Sequence, residues 1–221
     1  MTPWQSFVTK WKDCQACPLC RQRFRICLAR GAVPCSVLLV GEAPGASEDT
    51  IGVPFCGPAG HLLDQIVERA IPAGVPIAYC NLVCCYPAEA KAEGHNEPAR
   101  DEILACRPRL IEFVNISRPR LIVCVGSLAA DYVDHGDTVP CADITHPAAI
   151  LRMPLAQKQM ATQRCIVTLR NAVEDMMSKA NSGFAEWGTK YISRKAQTGR
   201  ERLRADYSRW VSSADDPTIP F

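Results

Sequence analysis

The sequence predicts a three-layer α/β/α fold around a mainly parallel, four-stranded sheet, followed by a helical C-terminal extension. Three short apolar runs bounded by Gly, Pro or Asn predict buried strands at Val37–Val40, Ile77–Val83 and Leu121–Val125. Segments with helical periodicity separate these runs, and strands that alternate with helices form parallel sheets covered on both faces. A fourth strand is expected just before His146.

Helices are expected between the strands. The segment GHLLDQIVERA at 60–70 places its apolar residues on one helical face. PARDEILACRPRLIEFV at 98–114 has a similar periodicity, adjusted at Pro108, and a further helix covers roughly Pro154–Lys179. Ligands of such sheets bind at the carboxyl ends of the strands, where GEAPG, the segment after Val83 and HPAAILR all fall. These three segments are therefore predicted to converge on one pocket.

Composition indicates a soluble globular chain. The 221 residues are 48% apolar and 22% charged, and no apolar stretch approaches the roughly 18 residues of a membrane span. Since the N-terminus lacks the apolar region of a signal peptide, we expect a cytoplasmic protein without a membrane partner. The net charge of +2 does not by itself indicate nucleic acid. Three locally basic segments, 21–30, 107–120 and 190–209, are most simply solvated surface.

The domain boundary is predicted near residue 181. Residues 1–181 carry the α/β pattern, whereas 182–221 form a basic extension with four Trp and Tyr residues and a frayed tail. These four residues are Trp187, Tyr191, Tyr207 and Trp210. The extension is interpreted either as an accessory contact for DNA or protein, or as a helix packed on the back of the domain.

The 13 cysteines are the most unusual feature of the composition. In a reducing compartment they are more typical of metal ligands or buried residues than of disulfides. The candidate ligands are Cys14, Cys17 and Cys20 in CQACPLC, Cys84 or Cys85 after a strand, and Cys106 in a helix. Spacing alone leaves zinc, an iron–sulfur cluster and no metal all open. Cys80 and Cys124 lie inside apolar strands and are predicted to be core residues.

Six motifs occur in a compatible order between roughly residues 10 and 180. They are GEAPGASED, GVPFCGPAGHLLD, NLVCCYP, EILACRP, VCVGSLAA and HPAAILR. Together they resemble the family 4 uracil-DNA glycosylases, the iron–sulfur branch of the uracil-DNA glycosylase superfamily. The resemblance implies a monomeric, monofunctional enzyme that hydrolyses the N-glycosidic bond of uracil in single- or double-stranded DNA. The product would be an abasic site, as in base excision repair.

The resemblance also implies a cofactor. A [4Fe–4S] cluster would be held by the cysteines that match the family's ligands, Cys14, Cys17, Cys85 and Cys106, with zinc as the alternative. Cys20 and Cys84 would be spare, and Cys84 is adjacent to a ligand. The cluster would have a structural role, joining the N-terminal arm to the end of a strand and to a helix.

Excision of a base requires a flipped nucleotide, a stabilised cationic sugar and a stabilised anionic leaving base. The rigid GEAPG segment is expected to bring Glu42 and Glu48 to the pocket, where a carboxylate can orient water or stabilise the sugar. For Glu48 the alternative is a cap on the next helix. His146 would donate a hydrogen bond to uracil O2 as negative charge develops there.

The same resemblance implies a set of base- and DNA-binding residues. Phe55 would stack on the flipped base, and Asn81 would match the N3–H and O4 edge of uracil with its amide donor and acceptor. Gly41 and Ala43 would form the neighbouring pocket wall. Arg152 would meet phosphate, while Ile150 or Leu151 enters the vacated base stack.

One loop departs from the family pattern. Family 4 enzymes usually carry an Asn in a short GNR turn, and counting back from Cys106 places His95 there. A related branch has His at this position and traps uracil-DNA covalently, but its loop is longer and contains KRRIH rather than KAEGH. That branch also has Gln where Ala43 stands. We therefore predict turnover, with His95 orienting water, and keep covalent capture through His95 as the alternative.

Overall fold

A computed structural model describes residues 1–88, 97–133 and 139–181. The chain begins with helix α1 (Pro3–Trp11) and a 3₁₀ turn at Pro18–Arg21. Helix α1 starts at a reciprocal cap. The Gln5 main-chain N–H donates to the Thr2 hydroxyl oxygen over 3.2 Å, and the Thr2 main-chain N–H donates to Gln5 Oε1 over 2.8 Å. Helix α1 is absent from the predicted elements, although Thr-x-x-Gln is a known helix-start signature.

The sheet has five strands rather than the predicted four. They are β1 (Arg30–Gly31), β2 (Val37–Gly41), β3 (Ile77–Asn81), β4 (Leu121–Val125) and β5 (Cys141–Ile144), in the spatial order β1-β3-β2-β4-β5. The four predicted strands are confirmed and pair in parallel, whereas β1 pairs antiparallel with β3. Since β1 has only two residues, it is too short to carry a periodic sequence signal.

Helices connect the strands. They are α2 (Ala46–Ile51), α3 (Pro58–Ala70), α4 (Arg100–Ser117), α5 (Ser127–Tyr132), α6 (Pro147–Leu151) and α7 (Leu155–Asn181). The three predicted helices correspond to α3, α4 and α7, with ends within a few residues of the expected ones. Pro108 lies inside α4 without ending it.

Two apolar clusters cover the two faces of the sheet, because successive strand residues point to opposite sides. Leu38 and Val40 face a cluster that includes Phe7 of α1 and Phe113 of α4. The alternate strand residues, such as Val37 and Leu39, face a cluster built largely from α3 and α7. The three-layer α/β/α prediction is thus confirmed, and Cys80 and Cys124, 0% and 1% exposed, are buried as predicted.

Two further expectations concern a membrane span and the C-terminal extension. No helix in the described ranges is long and apolar enough to cross a membrane. The predicted extension at 182–221 lies outside the described residues, so its contact with DNA or protein stays a prediction.

Candidate active site and cysteine cavity

The carboxyl ends of the parallel strands bring the predicted motifs together. Gly41 at the end of β2 is paired in register with Asn81 at the end of β3. The pairing continues past the strands, because Leu82 N–H donates to the Gly41 carbonyl over 2.9 Å and Val83 N–H to the Glu42 carbonyl over 3.2 Å. GEAPG and the segment around Val83 therefore share one edge of the sheet, as predicted.

Gly41 separates an aromatic ring from an amide. A Cβ atom at this position would lie 2.4 Å from Phe55 Cζ and 2.5 Å from Asn81 Oδ1, so only glycine fits. Phe55 and Asn81 are 6% and 2% exposed. Ala43, two residues further on, is half-buried against the core. The ring and the amide that were predicted to bind a base are therefore adjacent.

The ring of Phe55 is held by its surroundings. Its backbone has φ 56°, a left-handed conformation that is uncommon for a non-glycine residue. Helix α3 packs directly against this backbone, since a Cβ on Gly60 would lie 1.9 Å from the Phe55 carbonyl oxygen. The ring also tilts against Tyr79, with centroids 6.0 Å apart. Such strained residues are concentrated at functional sites.

Glu48 joins two turns of the pocket. Its buried carboxylate accepts hydrogen bonds from Gly45 N–H over 3.1 Å and from Gly57 N–H over 2.9 Å. These contacts agree with the alternative interpretation of Glu48 as a cap, and its catalytic role stays a prediction. Glu42 is half-buried beside the strand end.

Asp49 is a site residue that the sequence reasoning missed. It is 8% exposed, and its carboxylate accepts from Phe24 N–H over 2.9 Å and from Arg25 N–H over 3.3 Å. It thus fastens the cysteine-containing N-terminal arm to α2. No local pattern reveals a contact across 25 residues of chain.

His146 caps helix α6 over the end of β4. Its Nδ1 accepts from Ala148 N–H over 3.2 Å, so a neutral imidazole carries its proton on Nε2. Gly126, with φ +96°, lies directly beneath the side chain, because a Cβ there would be 3.1 Å from His146 Cβ. The glycine in VCVGSLAA is therefore required both by its backbone and by the imidazole above it.

The end of α6 separates the three predicted DNA contacts. Ile150 is 0% exposed and belongs to the core, so the suggestion that it enters the base stack is wrong. Leu151 is 37% exposed and Arg152 is exposed at the end of the helix. His95 lies outside the described residues, and its role stays a prediction.

A second feature is a cavity lined by cysteines. It contains all six predicted candidates, Cys14, Cys17, Cys20, Cys84, Cys85 and Cys106. The remaining lining is apolar (Trp11, Ala16, Ile26 and Ala105) apart from two arginines, Arg23 and Arg109. Three distant parts of the chain thus contribute thiols to one volume, a donor set that suits a thiophilic metal centre.

The thiols of the cavity differ in pKa. Burial is the largest of the effects that raise the pKa of Cys17 and of Cys85 to about 11. Arg23 opposes this shift at Cys85, since its Nη1 lies 3.0 Å from the sulfur. A hydrogen bond with Cys84 instead holds the pKa of Cys106 well below its usual value. Cys17 and Cys85 are therefore expected to be neutral near pH 7 without a metal, and metal binding there would release protons.

Arg109 lies between the cavity and the strand ends. It is 1% exposed, and its Nη2 donates to the carbonyl oxygens of Asn81 and Leu82, each over 2.7 Å. The same nitrogen lies 3.6 Å from Cys106 Sγ, while Nε and Nη1 have no hydrogen-bond partner in the described part of the chain. The sequence predicted that the basic segment 107–120 is solvated surface, but Arg109 within it is buried. A buried guanidinium with spare donors suits a neighbouring anionic centre.

Several known proteins are similar to this chain in sequence. The chain matches a family model described as the uracil DNA glycosylase superfamily over residues 29–170. It is 33% identical over 165 residues to a type-4 uracil-DNA glycosylase of Pyrobaculum aerophilum, an alignment that covers 65% of this chain and 82% of the relative. It is 32% identical to the proteins of that name from Saccharolobus solfataricus (55% of each chain) and Thermotoga maritima (58% of this chain, 64% of the relative).

Proposed function

The chain belongs to the uracil DNA glycosylase superfamily, and we propose that it hydrolyses the N-glycosidic bond of uracil in DNA as a monofunctional glycosylase of the type-4 kind. One observation carries this proposal: the Gly41 backbone holds the Phe55 ring and the Asn81 amide side by side at the ends of two parallel strands. A stacking surface next to a donor–acceptor pair is what recognition of a flipped pyrimidine requires. The abasic product would enter base excision repair.

Base selection follows from the Asn81 amide. Its oxygen accepts from uracil N3–H and its NH₂ group donates to O4, whereas cytosine presents the opposite pattern on that edge. The residue is nearly inaccessible to water and Arg109 holds its main-chain carbonyl, so the backbone that carries the amide is fixed. Cytosine would leave a buried donor or acceptor unsatisfied, which costs about 1–3 kcal/mol for each group.

His146 is assigned to assist departure of the base. The His146 proton is on Nε2 in the neutral ring, because Nδ1 accepts from a main-chain N–H. Nε2–H is therefore the donor offered to uracil O2 as negative charge develops on the leaving base. A preset donor of this kind typically contributes about 10²–10³ in rate.

The sugar cation and the attacking water are assigned to the GEAPG edge. We assign Glu42, which follows Gly41 directly, as the carboxylate that orients water or stabilises the cation. Glu48 already accepts two main-chain hydrogen bonds, so its contribution is to hold the Gly45 and Gly57 turns in place. Arg152, exposed at the end of α6, is assigned to a DNA phosphate of single- or double-stranded substrate.

The cofactor is proposed to be a [4Fe–4S] cluster held by Cys14, Cys17, Cys85 and Cys106, which all line the cavity. In the described ranges, the only group of three or more potential ligand atoms that all lie within 4.8 Å of one another belongs to Cys124, Cys141 and Asp143. No three cavity thiols are therefore as close together as the ligands of one tetrahedral zinc ion, whose sulfurs would lie about 3.8 Å apart. This spacing favours a multi-iron cluster over zinc. When bound, the cluster would supply a covalent tie between the arm, the end of β3 and α4.

A gel assay tests the proposal. End-labelled oligonucleotides with one uracil, single- or double-stranded, are incubated with limiting protein and then analysed with and without alkali on denaturing gels. We expect alkali-labile sites in molar excess over the enzyme, with none in a matched cytosine oligonucleotide. A stoichiometric protein–DNA band that survives SDS and heat, and disappears in His95→Ala, would replace turnover with covalent capture. No reaction on uracil would overturn the proposed function.

A further inference from the structure

Strands β4 and β5 carry a second group of potential metal ligands that the proposed glycosylase activity does not use. Cys124, Cys141 and Asp143 place one ligand atom each within 4.8 Å of the other two. The Cys124 and Cys141 sulfurs are 3.3 Å apart, and Cys141 Sγ lies 4.0 Å from an Asp143 carboxylate oxygen. None of the three lines the cysteine cavity.

The parallel register explains this grouping. Ile122 pairs with Cys141 and Cys124 with Asp143, so the two β5 residues lie on the same face of the sheet as Cys124. Cys124 is buried at 1% exposure, whereas Cys141 is half-buried and Asp143 is exposed. The group therefore has one protected ligand and an approach from solvent on the β5 side.

We propose that Cys124, Cys141 and Asp143 bind one zinc ion, with water completing a tetrahedral site. Zinc–sulfur bonds of about 2.3 Å and zinc–oxygen bonds of about 2.1 Å place tetrahedral ligands about 3.6–3.8 Å apart. The 3.3 Å and 4.0 Å separations lie on either side of those values, so small side-chain rotations would complete the site. Two thiolates and a carboxylate also form a donor set that zinc accepts.

The carboxylate favours a metal over the simplest rival, a Cys124–Cys141 disulfide. A disulfide would use both sulfurs and leave Asp143 without a role, while the observed contacts include the carboxylate. The location also gives the ion a structural consequence. Strand β5 ends at Ile144, two residues before His146, so an ion bridging β4 and β5 would fix the segment that presents the imidazole.

The test uses the full-length protein, purified without oxygen, with its iron content and visible absorption recorded throughout. The protein is freed of loosely bound metal with a mild chelator and dialysed against buffered zinc. The wild type is compared with Cys141→Ser, with Asp143→Asn, and with Cys165→Ser as a control buried thiol on α7. Bound zinc and the melting temperature are measured for each.

We expect wild type and Cys165→Ser to bind one zinc equivalent more than Cys141→Ser, with unchanged iron. Zinc should raise their melting temperature, since an ion that binds the folded state stabilises it. Asp143→Asn, at an exposed position that tolerates substitution, should lose most of this rise. Equal zinc binding by wild type and Cys141→Ser would overturn the proposal. So would a Cys124–Cys141 disulfide, detected by mass in the anaerobically purified protein. Because zinc binding and uracil excision are measured separately, either proposal can fail alone.

Discussion

The cysteine cavity and the candidate site at the carboxyl ends of the strands, called the pocket below, are built in opposite ways. The cavity collects side chains from three distant parts of the chain, and burial raises the pKa of Cys17 and of Cys85, so a metal would have to displace their protons. The pocket is set mainly by backbone: Gly41, Gly60 and Gly126 allow close approaches, and Glu48 fastens two turns. The stability of the cavity would therefore depend on a bound metal, whereas the fold alone preorganises the pocket. Substitutions in the first should unfold the protein, and substitutions in the second should mainly slow it.

The largest effect is expected from Cys106→Ser. Loss of one proposed ligand should abolish the brown colour expected of the proposed [4Fe–4S] cluster. It should also lower the melting temperature more than any other single change here, because metal-binding free energy is also folding free energy. Visible absorption and calorimetry on anaerobically purified protein measure both. Cys165→Ser, a buried thiol outside both the cavity and the proposed zinc site, is the control and should keep the iron. A coloured, stable Cys106→Ser protein would remove Cys106 from the ligand set.

His146→Ala tests the preorganised pocket. We expect kcat to fall by about 10²–10³, the usual cost of one donor to a developing anion, with a loss of only about 1 kcal/mol in the free energy of unfolding from the missing helix cap. Single-turnover rates on a uracil oligonucleotide provide the measurement. His61→Ala, an exposed histidine on α3, is the matched control. A loss of unfolding free energy as large as the free-energy equivalent of the rate loss would show that His146 acts only as a structural cap.

Arg109→Met should affect both regions, because this residue contacts both. The substitution leaves the Asn81 and Leu82 carbonyls without their donor and removes a cation beside Cys106. We expect a loss of about 2–3 kcal/mol in the free energy of unfolding. We also expect a smaller rate ratio between uracil and cytosine oligonucleotides, because Asn81 loses its fixed position. Arg164→Met, exposed on α7, should change neither quantity. Unchanged base selectivity in Arg109→Met would separate the two regions.

Glu48→Gln distinguishes positioning from catalysis. One glutamine oxygen can replace only one of the two accepted hydrogen bonds, so we expect a loss of about 1–2 kcal/mol in stability and a modest loss of rate. Glu68→Gln, exposed on α3, is the control for charge. A hundredfold fall in kcat at full stability would instead give Glu48 the catalytic role that the sequence suggested.

The smallest effect is expected from Arg152→Ala. An exposed phosphate contact should weaken DNA binding about equally for all sequences and reduce the salt slope of log K by about 1. Fluorescence anisotropy at several salt concentrations measures it. Arg164→Ala, exposed on α7, is the control. An unchanged slope would remove Arg152 from the DNA contact.

Local patterns predicted the parts of this molecule that are local. The strands at 37–41, 77–81 and 121–125 and the helix at 58–70 carry their own periodicity, so they were predicted nearly to their ends. Strand β1 is too short for such a signal. The motifs identified Phe55 and Asn81, and the structure places them together.

Tertiary contacts explain what the sequence did not reveal. Arg109 stands in a basic segment that resembles surface, and only the fold shows that it is buried against main-chain carbonyls. Asp49 is one of two consecutive acidic residues in a first helical turn, a pattern equally typical of a simple cap. Which of the two carboxylates faces the N-terminal arm depends on how α2 packs.

The cavity also has a consequence for synthesis on the ribosome. Its cysteines run from Cys14 to Cys106, so about ninety residues must be made after the first thiol before the last one exists. At about 5–20 residues per second, this interval is about 5–20 seconds. During it, the early CQACPLC thiols have no partner from α4 and are open to oxidation or to a wrong metal. With the proposed cluster in this cavity, the rate of translation between these points would be one determinant of how much correctly loaded protein is made.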